Sequence, residues 1–187
     1  MIKYGITGNI ASGKSTVENI IKMRGYSVLD TDVVAHEFLN CDEVKELFKN
    51  YDVFNDGKIS RTKLGQLVFS EKELLKELER IIHPKVKEKI TEFFNDHSFE
   101  NAVFVSVPQL FETNMEKMFD KIIFVYADDS IRENRLIKRN NYTQEYAQKR
   151  MSAQIPQEQK ISKADIVIYN NSNEKDLEQE VVFKLAL

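Results

Sequence analysis

Gly8-Asn9-Ile10-Ala11-Ser12-Gly13-Lys14-Ser15 is the stretch whose reading decides the fold, because it satisfies G-x-x-x-x-G-K-[ST]. Ahead of it, Ile2 to Thr7 reads as a short buried strand. Behind it, Lys14 to Arg24 carries Val17, Ile20, Ile21 and Met23 at roughly helical spacing, and Gly25 stands where a helix end wants a left-handed residue. Strand, glycine-bounded loop and helix are the context in which this pattern binds phosphate. Successive N–H groups from Ile10 to Thr16 then point inward and, with the helix N-terminus, hold a β-phosphate. Lys14 would bridge the β- and γ-phosphates, and the Ser15 hydroxyl would ligate Mg²⁺. Gly8, Asn9, Ile10, Ala11, Ser12, Gly13, Lys14, Ser15 and Thr16 are therefore the candidate ATP-binding residues. A chance match in an ordinary glycine turn would not bring the strand, lysine, hydroxyl and helix along with it.

Outward from this loop, Tyr26 to Leu29 reads as a second strand ending in Asp30-Thr31-Asp32, with a helix from Val33 to Leu39. Between Asp42 and Asn95 the patterns are almost wholly helical: Val44 to Phe48, Arg61 to Phe69, Glu71 to Ile82 and Lys85 to Phe94, with Pro84 marking a break. The runs Val103–Val107, Ile122–Tyr126 and Ile166–Tyr169 have the length and apolar content of buried parallel strands. Helical patterns at Ser130 to Arg139 and Thr143 to Gln154 separate the last two, and a helix from Asp176 to Leu187 ends the chain. The fold class is α/β: an open parallel sheet of about five strands with helices on both faces, a helical insertion and a helical lid. Ligands of such sheets bind beyond the C-terminal ends of the strands.

Two clusters bear on the acceptor. Asp30 and Asp32 directly follow the second strand, whereas no obvious aspartate closes Val103–Val107 as it would in many motor ATPases. Asp32 can accept a hydrogen bond from an attacking hydroxyl and hold waters on Mg²⁺; it can also cap the helix that follows. Arg132, Arg135 and Arg139 share a helix face, joined by Lys138, and three cations on one face need an anion. Pairing with Asp128, Asp129 and Glu133 is the plain alternative.

Composition removes other classes. The 187 residues carry 27 Lys and Arg against 30 Asp and Glu, so a net charge of -3 gives no general attraction for nucleic acid or an anionic membrane. No secretory signal opens the chain, no apolar run reaches the ~18 to 20 residues that span a bilayer, and a single cysteine, Cys41, forms no internal disulfide, so a cytoplasmic location is expected. His36, His83 and His97 lack metal-ligand spacing with Cys41. Asp52, Asp56 and Gly57 imitate a calcium loop, but Phe54 and Lys63 stand where ligands are required. Phe93, Phe94, Phe99 and Phe104 read as core, and Glu112 as a satisfied loop carboxylate.

Taken in order, these motifs resemble one family, the dephospho-coenzyme A kinases, over nearly the whole chain from Ile2 to Asn170. Thr7 to Thr16 resembles T-G-G-I-G-S-G-K-S-T, and Asp30 to Ala35 resembles D-x-D-x-[IV]-A. Asp56-Gly57-Lys58-Ile59-Ser60-Arg61 resembles D-G-x-[IL]-x-R, His83-Pro84 the H-P pair, and Val107 to Glu112 the V-P-L-L-[FV]-E turn. Arg135 with Arg139, Ala153-Gln154, Lys160 and Ala164 to Asn170 match the lid arginines, A-Q, K and A-D-x-V-I-x-N.

The resemblance implies transfer of the ATP γ-phosphoryl group to the ribose 3′-hydroxyl of dephospho-coenzyme A. It implies a P-loop core of 1-33, 98-131 and 160-187, an acceptor-binding helical region of 34-97 and a lid of 132-159. Asp32, Lys14 and Arg135 become the catalytic set, Arg139 and Asn170 join the ATP site, Asp32, Arg61 and His83 bind dephospho-coenzyme A, and Ser15 with Asp32 holds Mg²⁺. His83 before Pro84 can instead merely mark a helix boundary. Asn9 and Ala11 replace family glycines; asparagine tolerates left-handed geometry, while Ala11 is expected to keep an ordinary φ. Gln109 replaces an apolar residue, and the segment after Leu39 is short. A kinase for another small nucleotide or nucleoside, or a P-loop ATPase or switch, shares the loop. A monomer or weak homo-oligomer is expected, with ATP and the acceptor as its only partners.

Overall fold

The computed structural model describes residues 1–187, which divide into two compact units, Met1–Leu29 with His97–Leu187, and Asp30–Asp96. The sheet comprises β1 (Ile2–Gly8), β2 (Val28–Asp30), β5 (Ala102–Ser106), β6 (Lys121–Tyr126) and β7 (Ile166–Tyr169), in the order β2-β5-β1-β6-β7. β1 runs parallel to β5 with Ile2 opposite Ala102 and Ile6 opposite Ser106, and parallel to β6 with Gly5 opposite Ile122. β6 is parallel to β7, with Ile123 opposite Ile166. The central strand is thus the one that feeds the glycine loop.

Period-two alternation sorts the side chains of these strands. On one face Ile6, Phe104, Ile123, Val125 and Ile168 are buried against Val17, Ile20 and Ile21 of α1 (Lys14–Met23) and Leu177, Val181 and Leu185 of α9 (Glu174–Leu185). Tyr4 stacks on Phe104 with centroids 4.8 Å apart. The alternate positions Val103, Val105, Ile122 and Phe124 are buried too, and the segment between β5 and β6 covers that side, with Leu110 and Phe119 against the backbone of Gly5. Helices α6 (Asp129–Asn140), α7 (Gln144–Ser152) and α8 (Gln157–Ile161) belong to this same unit.

The second unit holds α2 (Thr31–Phe38), α3 (Asp42–Phe48), α4 (Arg61–Ser70) and α5 (Lys72–Asp96), with the first three packed on α5. Here the structure corrects the sequence reading: Pro84 does not break the chain into two helices but lies inside a single one of 25 residues. A proline in a helix interior costs about 3 kcal/mol through a lost hydrogen bond and a clash with the preceding turn. The stripe Leu78, Ile82, Val86, Ile90 and Phe94 is buried on both sides of it, and each such side chain contributes roughly 1.5–3 kcal/mol. Continuity of that stripe outweighs the proline.

Two further differences have local causes. Phe54–Asn55 (β3) and Lys58–Ile59 (β4) form a hairpin around Asp56 at φ 47° and Gly57 at φ 74°, the left-handed pair of a primed turn. Asp-Gly is the turn signal here, and Lys63, which stands where a calcium ligand would be required, binds Asp52 at 2.7 Å. Phe99 is 83% exposed rather than core, because it falls in the turn between α5 and β5, while Phe94 and Phe104 are buried.

Replacing Pro84 by Ala should raise unfolding free energy by about 1–3 kcal/mol. A higher urea midpoint at unchanged slope is the expected reading; an unchanged midpoint would mean the helix has already relaxed around the ring.

Candidate active site

The loop after β1 is shaped from behind. Arg132 Nε donates to Ile10 O at 3.0 Å; Arg135 NH1 donates to Ala11 O and Ser12 O, each at 3.2 Å; Asn170 Nδ2 donates to Ser12 O at 2.8 Å. Three successive carbonyls are therefore turned outward, which turns the amides of the Ile10–Ala11 and Ser12–Gly13 peptide units the opposite way. The protein supplies no acceptor for the N–H groups of Gly13, Lys14 and Ser15, a donor set that at a helix N-terminus suits an anion. Gly13 caps α1 at φ 94°, and a Cβ there would collide with the Asn170 amide, so only glycine fits.

Asn9 was expected to absorb left-handed geometry, yet the strained residue is Ala11, at φ 62°. Asn9 is committed elsewhere: it is buried, and its Nδ2 donates to Ile155 O at 2.9 Å. Next to it, Ile10 N donates to Gln154 Oε1 at 2.8 Å. The turn between α7 and α8 thus holds the front of the loop while α6 holds its carbonyls. Gln154 was legible only as a family match.

The cation cluster divides. Arg132 is 2% exposed, with Nε on Ile10 O, NH1 on Asp129 Oδ1 and NH2 buried without a partner, so it is a structural clamp rather than a member of a solvent-facing trio. Arg135 NH2 adds bonds to the Asn170 carbonyl and side chain, each at 3.1 Å. Burial lowers the pKa of both guanidiniums from the usual arginine value, and at Arg132 the Asp129 carboxylate partly counters it. Arg135, Lys138 and Arg139 line an open groove of about 540 Å³ with Ala11, Gly13, Thr16 and Asn170; Ser172, Glu174 and Leu177, which the sequence did not mark, complete it.

Lys14 Nζ donates to Glu18 Oε1 at 2.7 Å and to the Ser106 hydroxyl, which itself donates to Glu18 Oε1 at 2.6 Å. Neither Glu18 nor Ser106 was anticipated, although Glu18 lies one helical turn beyond the lysine and Ser106 ends the strand where an aspartate was sought. Ser15, in the first turn of α1, is exposed. Glu112 is ion-paired at 2.6 Å with Lys160 of α8, which is 1% exposed, in keeping with a satisfied loop carboxylate.

The remaining sequence-marked residues lie in the other unit. Asp30, not Asp32, caps α2, its carboxylate accepting Asp32 N at 2.9 Å, so the helix begins at Thr31 rather than Val33. Asp32 occupies the first turn of α2. Arg61 opens α4 and is exposed; His83 is half-buried on α5. Burial lowers the His83 pKa, partly countered by Glu79, while Lys87 lowers it further.

A parallel sheet whose central strand feeds an amide nest and a Lys-Ser helix start defines a P-loop nucleotide-binding protein. A family model described as dephospho-CoA kinase matches residues 2–176. The chain belongs to that family, and it is accordingly an ATP-dependent phosphotransferase. A dephospho-CoA kinase of Fusobacterium nucleatum is 39% identical over 181 residues, spanning 95% of this chain and 93% of that protein. A crystal structure of a Thermus thermophilus protein superposes with a TM-score of 0.87 at 36% identity, covering 99% of this chain and 96% of that one. Dephospho-CoA kinase from Campylobacter jejuni superposes with a TM-score of 0.76 at 32% identity, covering 98% and 95% respectively.

Ala11→Gly should relieve the left-handed strain and stabilise the fold by about 1 kcal/mol, seen as a higher melting temperature. His83 gives a pH signature. Its folded pKa lies below the unfolded value, so the unfolded chain binds more protons between the two, and stability falls as pH drops below the usual histidine value of about 6.5. Denaturation series of wild type and His83→Gln should diverge in that window and run parallel above it.

Proposed function

We propose that this chain catalyses Mg²⁺-dependent transfer of the γ-phosphoryl group of ATP to the ribose 3′-hydroxyl of dephospho-coenzyme A, giving coenzyme A and ADP. The observation that carries the reading is the set of acceptor-less amides at Gly13, Lys14 and Ser15, backed by outward-held carbonyls, in a chain of this family. In this reading Gly8 to Thr16 seats the polyphosphate, Lys14 spans the β- and γ-phosphates, and Arg139 lies along the groove that receives them. Arg135 keeps the loop in shape and adds positive charge where charge spreads in transfer. Asn170, which lines the same groove, would lie near the base.

The donor set suits Mg²⁺. No cluster of three His, Cys, Asp or Glu side chains exists to form a cage, and an exposed hydroxyl, Ser15, adjoins the nest; Mg²⁺ in such sites takes one or two protein oxygens, substrate phosphates and waters. Ser15 and Asp32 would hold the ion, which would supply positive charge beside the phosphates. Asp32 would accept a hydrogen bond from the 3′-hydroxyl and orient it in line with the γ-phosphorus. A loose transition state needs little proton removal before attack, so this carboxylate mainly positions that hydroxyl. Arg61 and His83 would hold the anionic acceptor, and residues 132–159 would close over it and exclude water. No helix is long and apolar enough to cross a membrane, and we place the enzyme in the cytoplasm, as a monomer or weak homo-oligomer.

Incubation with Mg·ATP and dephospho-coenzyme A should yield a product heavier by one phosphoryl group. Equal ADP release without acceptor would favour an ATPase, and a panel of nucleosides and nucleotides would reveal a different kinase. Asp32→Asn should cut turnover at least 100-fold with little change in ATP affinity, whereas Lys14→Ala should damage both. A fully active Asp32→Asn enzyme would remove the role given to that carboxylate.

A further inference from the structure

The ammonium that phosphoryl transfer requires on the β- and γ-phosphates is already engaged. Lys14 Nζ forms an ion pair with Glu18 Oε1 at 2.7 Å, and the Lys14 and Glu18 side chains are only 14% and 4% exposed. The same Oε1 accepts from the Ser106 hydroxyl at 2.6 Å, so a single carboxylate oxygen gathers both groups at the end of β5. Helix stability does not explain the pair. A lysine in the first turn opposes the macrodipole, α1 has no acid in its first turn to offset it, and the Lys-before-Glu order is the weaker arrangement at this spacing.

We propose that Glu18 is a latch on Lys14 that sets the affinity of the nest for polyphosphate. The idea rests on the reading of Gly8–Thr16 as the ATP site and deepens it. A carboxylate this buried is costly without a charged partner. When Lys14 turns to a phosphate, Glu18 keeps one neutral hydroxyl and faces an incoming negative charge. Every ligand that recruits Lys14 must offset that cost; a ligand too short to reach it need not. The latch therefore discriminates by phosphate number: it weakens binding of nucleoside di- and triphosphates and leaves monophosphates untouched. It also gives the nest an internal counter-charge, so that stray anions gain less from Lys14.

The test is calorimetric binding of Mg·ATP, ADP and AMP to the whole wild-type protein and to Glu18→Gln, which preserves size and a partner for Ser106. The latch predicts about tenfold tighter ATP and ADP binding in the variant, as expected if the lysine is engaged roughly nine-tenths of the time, with AMP unchanged. Glu18→Met, which fills the volume with no charge, should behave alike and serves if the glutamine variant folds poorly, as judged by its melting curve. ATP binding equal to or weaker than wild type in the folded variants overturns the latch and would make Glu18 a positioning residue for Lys14. Equal tightening of AMP overturns it as well, since that would mean a general change in the groove. Absence of ATP binding to wild type would sink the function proposed above, and the latch with it.

Discussion

The structure depends on the way three peptide carbonyls are held out of the phosphate nest. A loop of bare backbone has no intrinsic reason to aim its amides together, since each peptide unit can rotate and its carbonyls repel one another when aligned. Arg135 and Asn170 resolve this by forming a single block: the guanidinium bonds Ala11 O, Ser12 O and both oxygens of Asn170, while Asn170 returns a bond to Ser12 O. Arg132 fixes Ile10 O in the same sense. Removing the acceptors from one side of the loop concentrates the donors on the other, and the positive charge of the clamp adds to the potential felt there.

That constraint explains why distant pieces of chain converge. α6 supplies the clamps, the end of β7 supplies Asn170, and the turn between α7 and α8 grips Asn9 and Ile10. Parallel strands deliver all of these to the C-terminal edge of the sheet, where the central position of β1 places its loop between two neighbours. The segment expected to act as a lid is consequently wired into the loop it would cover. Any movement of α6 or α7 must either carry the loop along or exchange these bonds for bonds to ligand. Ala11 accepts a left-handed φ as part of the same arrangement, because Asn9, the residue better suited to that conformation, is spent on Ile155.

Legibility in the sequence followed the range of the interactions. β1, the glycine loop and α1 are contiguous and could be read directly, as could β6 and β7, whose apolar runs have no competing pattern. Arg135 and Asn170 could be read as candidates, but not as clamps, since their partners are carbonyls 123 and 158 residues away that carry no side-chain signature. Arg132 looked like its neighbours on the helix face until burial separated it. Pro84 misled because a local rule was set against a buried stripe spanning both sides of it. Glu18 lay at a readable spacing from Lys14, but its meaning came from Ser106, which only the β1–β5 register brings alongside.

A chain of net charge -3 that handles a polyphosphate must concentrate its positive charge. Screening confines exposed charges to about 8–10 Å of influence, so distribution matters more than the total. Of the basic residues on α6, burial withdraws Arg132 and ties Arg135 to backbone, leaving Lys138 and Arg139 as the exposed cations along the groove. Lys14 is likewise neutralised internally by Glu18. The resting site is therefore rich in oriented N–H dipoles but sparing in unpaired charge. Dipoles fixed by the fold need no reorganisation when an anion arrives and attract little from a distance, whereas free cations would draw in any phosphate. Under the proposed function, binding would rest on fitting the nest closely enough to recruit Lys14, and the geometry set by the carbonyl clamp would govern selectivity more than bulk electrostatics.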